Sequence, residues 1–146
     1  MWVSVDGKDW QDVVLWGENT AGLYAILNDG NRFIVSGSHG AVFTSPDGAY
    51  WTKSETPFEE LSYLSSVWTG SELMVAGGIT WWYWWVGTPP FERASGLSST
   101  DGGTTWQAVD IGGYYQSLGM AWGNGRLVSV GQLLPNWGEG AIYTSP

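Results

Sequence analysis

Residues 31–51 read NRFIVSGSHGAVFTSPDGAYW. Two short runs of apolar and β-branched residues are separated by a Ser38-His39-Gly40 turn and followed by Ser45-Pro-Asp47-Gly48 and a tryptophan, Trp51. Runs of this length bounded by Gly, Ser and Asp read as strands joined by tight turns. The Asp-Gly pair has a local physical role. Glycine takes the positive φ that a tight hairpin needs. The aspartate carboxylate accepts backbone N–H bonds within the turn. The serine hydroxyl closes the turn and the tryptophan packs back over it. The motif is expected to be a structural clip rather than a catalytic group.

The same pattern recurs. Ser4-Val-Asp6-Gly7-Lys-Asp-Trp10 precedes it, and Ser99-Thr-Asp101-Gly102-Gly103-Thr-Thr-Trp106 follows. The chain ends on Tyr143-Thr-Ser145-Pro146, where a fourth copy would begin, so the steps from serine to serine are 41, 54 and 46 residues. Upstream of three of the serines lie Arg32-Phe-Ile-Val-Ser-Gly37, Glu72-Leu-Met-Val-Ala-Gly77 and Arg126-Leu-Val-Ser-Val-Gly131. Further upstream lie Leu23-Tyr-Ala-Ile26, Leu64-Ser-Ser-Val67 and Leu118-Gly-Met-Ala121. Each repeat therefore holds four strands, here A to D, and helical periodicity is absent over any useful length. Four strands per unit of about 47 residues is the arithmetic of a β-propeller blade. The fold class is expected to be all-β: one array over residues 1–146, with units at about 22–54, 62–110 and 116–146 and residues 1–15 completing a neighbour's unit.

Read in order, the chain is C-D, A-B-C-D, A-B-C-D, A-B-C. About three blades are too few to close a ring. The expected partner is therefore the chain itself, a dimer giving six blades or a trimer giving nine. A piece of a longer propeller stays open as the other resolution.

Composition narrows the function. The chain carries 12 Trp and 22 Gly, only 13% charged residues, and a net charge of −9. Phosphate binding needs clustered Lys and Arg, and the five basic residues are scattered, so nucleic acid is not an expected partner. With no Cys there is neither a disulfide nor a thiolate metal site. The longest strongly apolar run, around Trp81 to Val86, is too short to span a bilayer.

That run belongs to TWWYWWVGTPPFERA, residues 80–94, between strands B and C of the second full unit. In a propeller the B–C and D–A connections share one face, opposite the Ser-x-Asp-Gly turns. The candidate ligand residues on that face are Trp16, Trp81, Trp82, Tyr83, Trp84, Trp85, Phe91, Tyr114, Tyr115, Trp137 and Glu139. Aromatic planes beside carboxylates and amides suit pyranose rings, which stack on indole while their hydroxyls find acids. They suit a protein anchor equally. Burial between blades or at a subunit interface, and contact with a membrane surface, stay open at this point. Glu59 with Glu60, or Glu139 with Asp110, could form a glycosidase pair, but nothing fixes their separation. His39 is the only histidine, so no metal site or Ser-His triad is expected. Arg32 and Arg126 share a repeat position and are expected to be solvated.

Ser99-Thr-Asp101-Gly102-Gly103-Thr-Thr-Trp106 resembles the Asp-box, or bacterial neuraminidase repeat, Ser-x-Asp-x-Gly-x-x-Trp; the other two copies are one residue shorter between Asp and Trp. The wider register is similar to the repeats of sialidase, xyloglucanase and photosystem assembly-factor propellers and of bacterial and phage surface proteins. The resemblance implies Ser4, Asp6, Gly7, Trp10, Ser45, Asp47, Gly48, Trp51, Ser99, Asp101, Gly103 and Trp106 as structural Asp-box residues, and favours an extracellular or surface location. It does not carry over a sialidase arginine triad, nucleophile or acid. The expected function is a non-catalytic, self-assembling module with lectin-like carbohydrate recognition and no cofactor. A glycoside-hydrolase fragment and a purely structural assembly module are the alternatives.

Overall fold

The computed structural model describes residues 1–13, 22–58, 61–79, 95–111, 115–133 and 139–146, and the described residues contain strands and turns but no helix. Among the described residues thirteen strands form four antiparallel sheets in chain order. The first holds β1 (Trp2–Val3) and β2 (Gln11–Asp12). The second holds β3 (Leu23–Asn28), β4 (Phe33–Gly37), β5 (Val42–Ser45) and β6 (Thr52–Lys53). The third holds β7 (Leu61–Trp68), β8 (Leu73–Ile79), β9 (Ser95–Ser99) and β10 (Gln107–Asp110). The fourth holds β11 (Tyr115–Gly123), β12 (Arg126–Leu133) and β13 (Gly140–Thr144). Each is a simple meander, so the strands fall in the expected C-D, A-B-C-D, A-B-C-D, A-B-C order.

The register repeats as faithfully as the order. Leu23 pairs with Gly37, Tyr63 with Gly77 and Ser117 with Gly131, and each pair is followed by the same bulge in the first strand. A bulge sets two residues against one and bends the strand. Its residue before the pair pushes a carbonyl toward the glycine opposite. A Cβ on Gly77 would run into the Ser62 carbonyl, and one on Gly37 into the Gly22 carbonyl. The glycines that end the first two Val/Ile-Gly runs, Gly37 and Gly77, are thus required by close backbone approach.

The core lies between the second and third sheets. Ile34 and Val42 from one face of the second sheet meet Leu61, Tyr63, Leu73, Val75, Leu97 and Trp106 from the third, with Leu27, Phe58 and Trp68 at the margin. β4 and β8 are buried on both faces, which is why their sequences are runs rather than alternations. The third sheet packs its other face on the fourth through β7 and β8 against β11. A run of serine hydroxyls threads that contact, on the face of the third sheet that also carries Val67 and Met74. Ser65 Oγ lies 2.7 Å from Ser117 Oγ, which lies 2.9 Å from Ser129 Oγ, and Ser65 donates to the Ala76 carbonyl at 3.1 Å. At the other end Val3 packs toward Phe33 and Gly48, which ties the first sheet to the second.

Candidate functional site

The sheets have two distinct ends, and the hairpin chemistry lies at one of them. In the first turn the Asp6 carboxylate accepts the Ser4 hydroxyl at 3.0 Å and the N–H groups of Lys8 and Asp9 at 2.8 and 2.9 Å. Asp47 accepts Ser45 Oγ at 3.1 Å and the N–H groups of Ala49 and Tyr50 at 2.9 Å each. Asp101 accepts Ser99 Oγ at 2.8 Å, Thr104 N–H at 3.0 Å, Thr105 N–H at 2.9 Å and Thr105 Oγ1 at 2.7 Å. The serine oxygens accept in turn from Gly7, Gly48 and Gly103, each at 2.8 Å. Every turn is therefore a closed set of local bonds around one carboxylate.

Those bonds favour the charged form. Backbone N–H groups hold the carboxyls of Asp6 and Asp47 below the usual range. The N–H and hydroxyl of Thr105, with the Ser99 hydroxyl, lower Asp101 furthest, to about 2. A carboxylate held ionised by turn donors is the opposite of a general acid, whose pKa must rise toward neutrality. The clip reading of these aspartates fits this geometry.

The third turn is longer by Gly102. Gly7 and Gly48 each take a single positive φ, 73° and 77°, whereas Gly102 and Gly103 take 73° and 85° in succession. The extra residue turns the Gly102 carbonyl toward the second sheet, where Arg32 Nη1 donates to it at 2.9 Å. Ser54 Oγ donates to the Gly103 carbonyl at 2.6 Å. Arg32, expected to be solvated, keeps a side chain 38% exposed while its guanidinium bridges two sheets, and Arg126 is exposed. The tryptophans differ likewise. Trp51 and Trp106 donate Nε1–H to the carbonyls of Gly48 and Gly103 at 2.9 and 3.1 Å, and Trp106 is 8% exposed. Trp10 is 55% exposed, and among the described residues its indole N–H has no partner.

The opposite end is defined by its strand ends. Leu61 pairs with Ile79, Ser95 with Asp110, Leu23 with Gly37, and Tyr115 with Leu133. Neighbouring sheets align there. Gly40 N–H donates to the Leu61 carbonyl at 2.7 Å, and a Cβ on Gly78 would touch Gln116. Connections leaving these strand ends depart from one side of the array. Of the expected ligand residues, Trp16, Trp81, Trp82, Tyr83, Trp84, Trp85, Phe91, Tyr114 and Trp137 lie outside the described residues, as do Glu59, Glu60 and Arg93. Tyr115 opens β11 at this end. Glu139 is exposed just before β13, where its carbonyl accepts Leu133 N–H at 2.9 Å. Asp110 closes β10 at the same end.

His39 occupies a positive-φ turn position at the same end and is exposed. Among the described residues no three His, Asp or Glu side chains are grouped to hold a metal ion, and no helix is long and apolar enough to cross a membrane. No protein-family model matches this chain, and no curated protein matches it in sequence.

Proposed function

We propose that the chain is a non-catalytic binding module, a propeller-type array of Asp-box blades whose ligand surface is the end opposite the Ser-Asp turns. The ligand class is carbohydrate. One observation carries this reading, the common polarity of the sheets. Segments 14–21, 80–94, 112–114 and 134–138 leave strand ends that lie on one side of their sheets, and nine of the chain's tryptophans, tyrosines and phenylalanines fall within them. Indole and phenol faces stack on the apolar face of a sugar ring, and nearby acids such as Glu139 accept its hydroxyl protons. The Ser-Asp turns supply rigidity at the far end.

The reading is tested by a glycan array followed by titration of the positive glycan against intrinsic Trp fluorescence. Saturable quenching is expected, abolished by paired Trp81→Ala and Trp82→Ala changes with an unchanged far-ultraviolet dichroism spectrum. Turnover of aryl glycosides, lost in Glu59→Gln or Glu139→Gln, would instead make the chain a hydrolase. Binding to no glycan on the array would remove the carbohydrate assignment.

A further inference from the structure

The two ends of the array present faces that are complementary by the molecule's own repeat. Val130 occupies the register position of Ser36 and Ala76, as the paired glycine next to each shows. Ser36 and Ala76 are fully buried because the following sheet covers them; Ser36 Oγ reaches the Tyr63 carbonyl at 3.3 Å. Val130 is 45% exposed, and its cross-strand partner Ile142 is 74% exposed. Ile142 stands where fully buried Val42 stands in the second sheet. At the opposite end Ile26 pairs with buried Val35 yet is itself 62% exposed. Its counterpart in the third sheet, Ser66, is covered by the second sheet.

Between these faces lies one strand present twice. Val3 sits 3.5 Å from the position of a Gly48 Cβ, with Phe33 beside it; in the next sheet Thr44 lies against Gly103, with Leu73 beside it. Thr144 holds the same register position in β13. β1 has two residues and, among the described residues, pairs with β2 alone, through Trp2 with Asp12 and Val3 with Gln11. β13 has five, and its second edge is unpaired among the described residues. An open edge beside an apolar face is a template for another chain.

We propose that the outer face of the fourth sheet docks on the second sheet of another copy of this chain. In this docking β13 takes the seat of β1, and the partner's β2 becomes its fourth strand. The proposal rests on the blade-array part of the reading above and is independent of the ligand. The register follows from β5 and β6, where Phe43 pairs with Lys53 and Thr44 with Thr52. Transposed, Tyr143 faces Asp12 and Thr144 faces Gln11 of the other copy. Arg126 then stands in the place of Arg32, beside the Asp47-Gly48 turn of the other copy, which is one residue shorter than the turn Arg32 meets. Among the described residues the outer face of the fourth sheet presents Val128, Val130, Ile142 and Thr144 with that arginine at its margin, and the receiving face of the second sheet presents Ile26, Val35 and Phe43 with Lys53 at its edge. A head-to-tail contact of this kind makes a ring of whole copies when its rotation closes.

The test uses the full chain and light scattering across a dilution series. A mass two or three times 15.9 kDa, reduced to 15.9 kDa by Ile142→Glu with unchanged dichroism, is expected. Because Ile142 is exposed within one copy, this change spares the fold of the single chain. The chain has no Cys, so Gln11→Cys combined with Thr144→Cys reports the exchanged strand directly, as an intermolecular disulfide on a non-reducing gel. A mass of 15.9 kDa for the unaltered chain, a multimer indifferent to Ile142→Glu, or the absence of that cross-link would each overturn the proposal. Loss of glycan binding with the mass multiple intact would count against the ligand reading alone.

Discussion

The contact between the second and third sheets and the contact between the third and fourth are built on the same register and differ in chemistry. The first is filled by Ile34, Val42, Tyr63, Leu73, Val75 and Leu97. The second is threaded by the hydroxyls of Ser65, Ser117 and Ser129. Apolar burial stabilises in proportion to area. A buried hydroxyl chain contributes little net energy while every member is bonded, and costs free energy when one is removed. One repeat thus yields an adhesive contact and a fitted one. The middle of the molecule is held by the first.

The largest effect expected from this difference comes from one register position tested twice. Leu73→Ala opens a cavity in the core and should cost about 2–5 kcal/mol. Leu127→Ala removes the half-buried counterpart in the fourth sheet and should cost less than half as much. Denaturant unfolding of both variants measures the pair. Equal losses would break the comparison, because the two contacts would then be equivalent cores.

Next in size is the hydroxyl chain. Ser117 is its middle member, and Ser117→Ala removes the hydrogen bonds to both neighbouring hydroxyls, at a cost of about 0.5–1.5 kcal/mol for each bond lost. Replacing Ser65, Ser117 and Ser129 together by Ala should cost less than the sum of the single changes, since each shared hydrogen bond is counted in two of the single changes. Strict additivity in a mutant cycle would show that the three do not act as a chain.

A smaller difference is expected in local opening. Amides of β12 and β13 should exchange with solvent faster than those of β4 and β8, because one face of the fourth sheet lacks cover. Hydrogen exchange under native conditions measures the order, which ring closure through β13 would reverse for that strand.

The smallest effect lies in the turns. The Asp101 carboxyl is lowered from 3.8 to about 2 in the folded chain, so its contribution is fully present above 3.8 and is lost as pH falls through about 2. Asp6 and Asp47 are lowered in the same direction. The thermal midpoint should therefore fall between pH about 4 and 2, and Asp101→Asn should flatten part of that fall. An unchanged slope in this variant would place the acid sensitivity elsewhere.

Much of this architecture is legible in the chain. The Ser-x-Asp-Gly copies gave the hairpins, and the Val/Ile-Gly runs gave the doubly buried strands β4 and β8. The bulge opposite Gly37, Gly77 and Gly131 was not read, although a glycine recurring at one register position is its signal. The clamp from Arg32 had no local signal, because its acceptor, the Gly102 carbonyl, is 70 residues away. The aromatic ligand set could be assigned to one end of the sheets through its flanking strands, while its individual rings lie outside the described residues.

The sequence by itself determined the all-β class, the four-strand unit, the turn chemistry and the strand order, because these follow from contacts within a few residues. Only the tertiary structure decided which copies of the motif are equivalent in energy. Trp10 and Trp106 follow the same kind of turn, yet one is exposed and the other buried. Val42 and Ile142 share a register position with opposite burial. The reason is physical: hydrogen bonds in a turn close locally, whereas burial is set by what the neighbouring sheet places against that face.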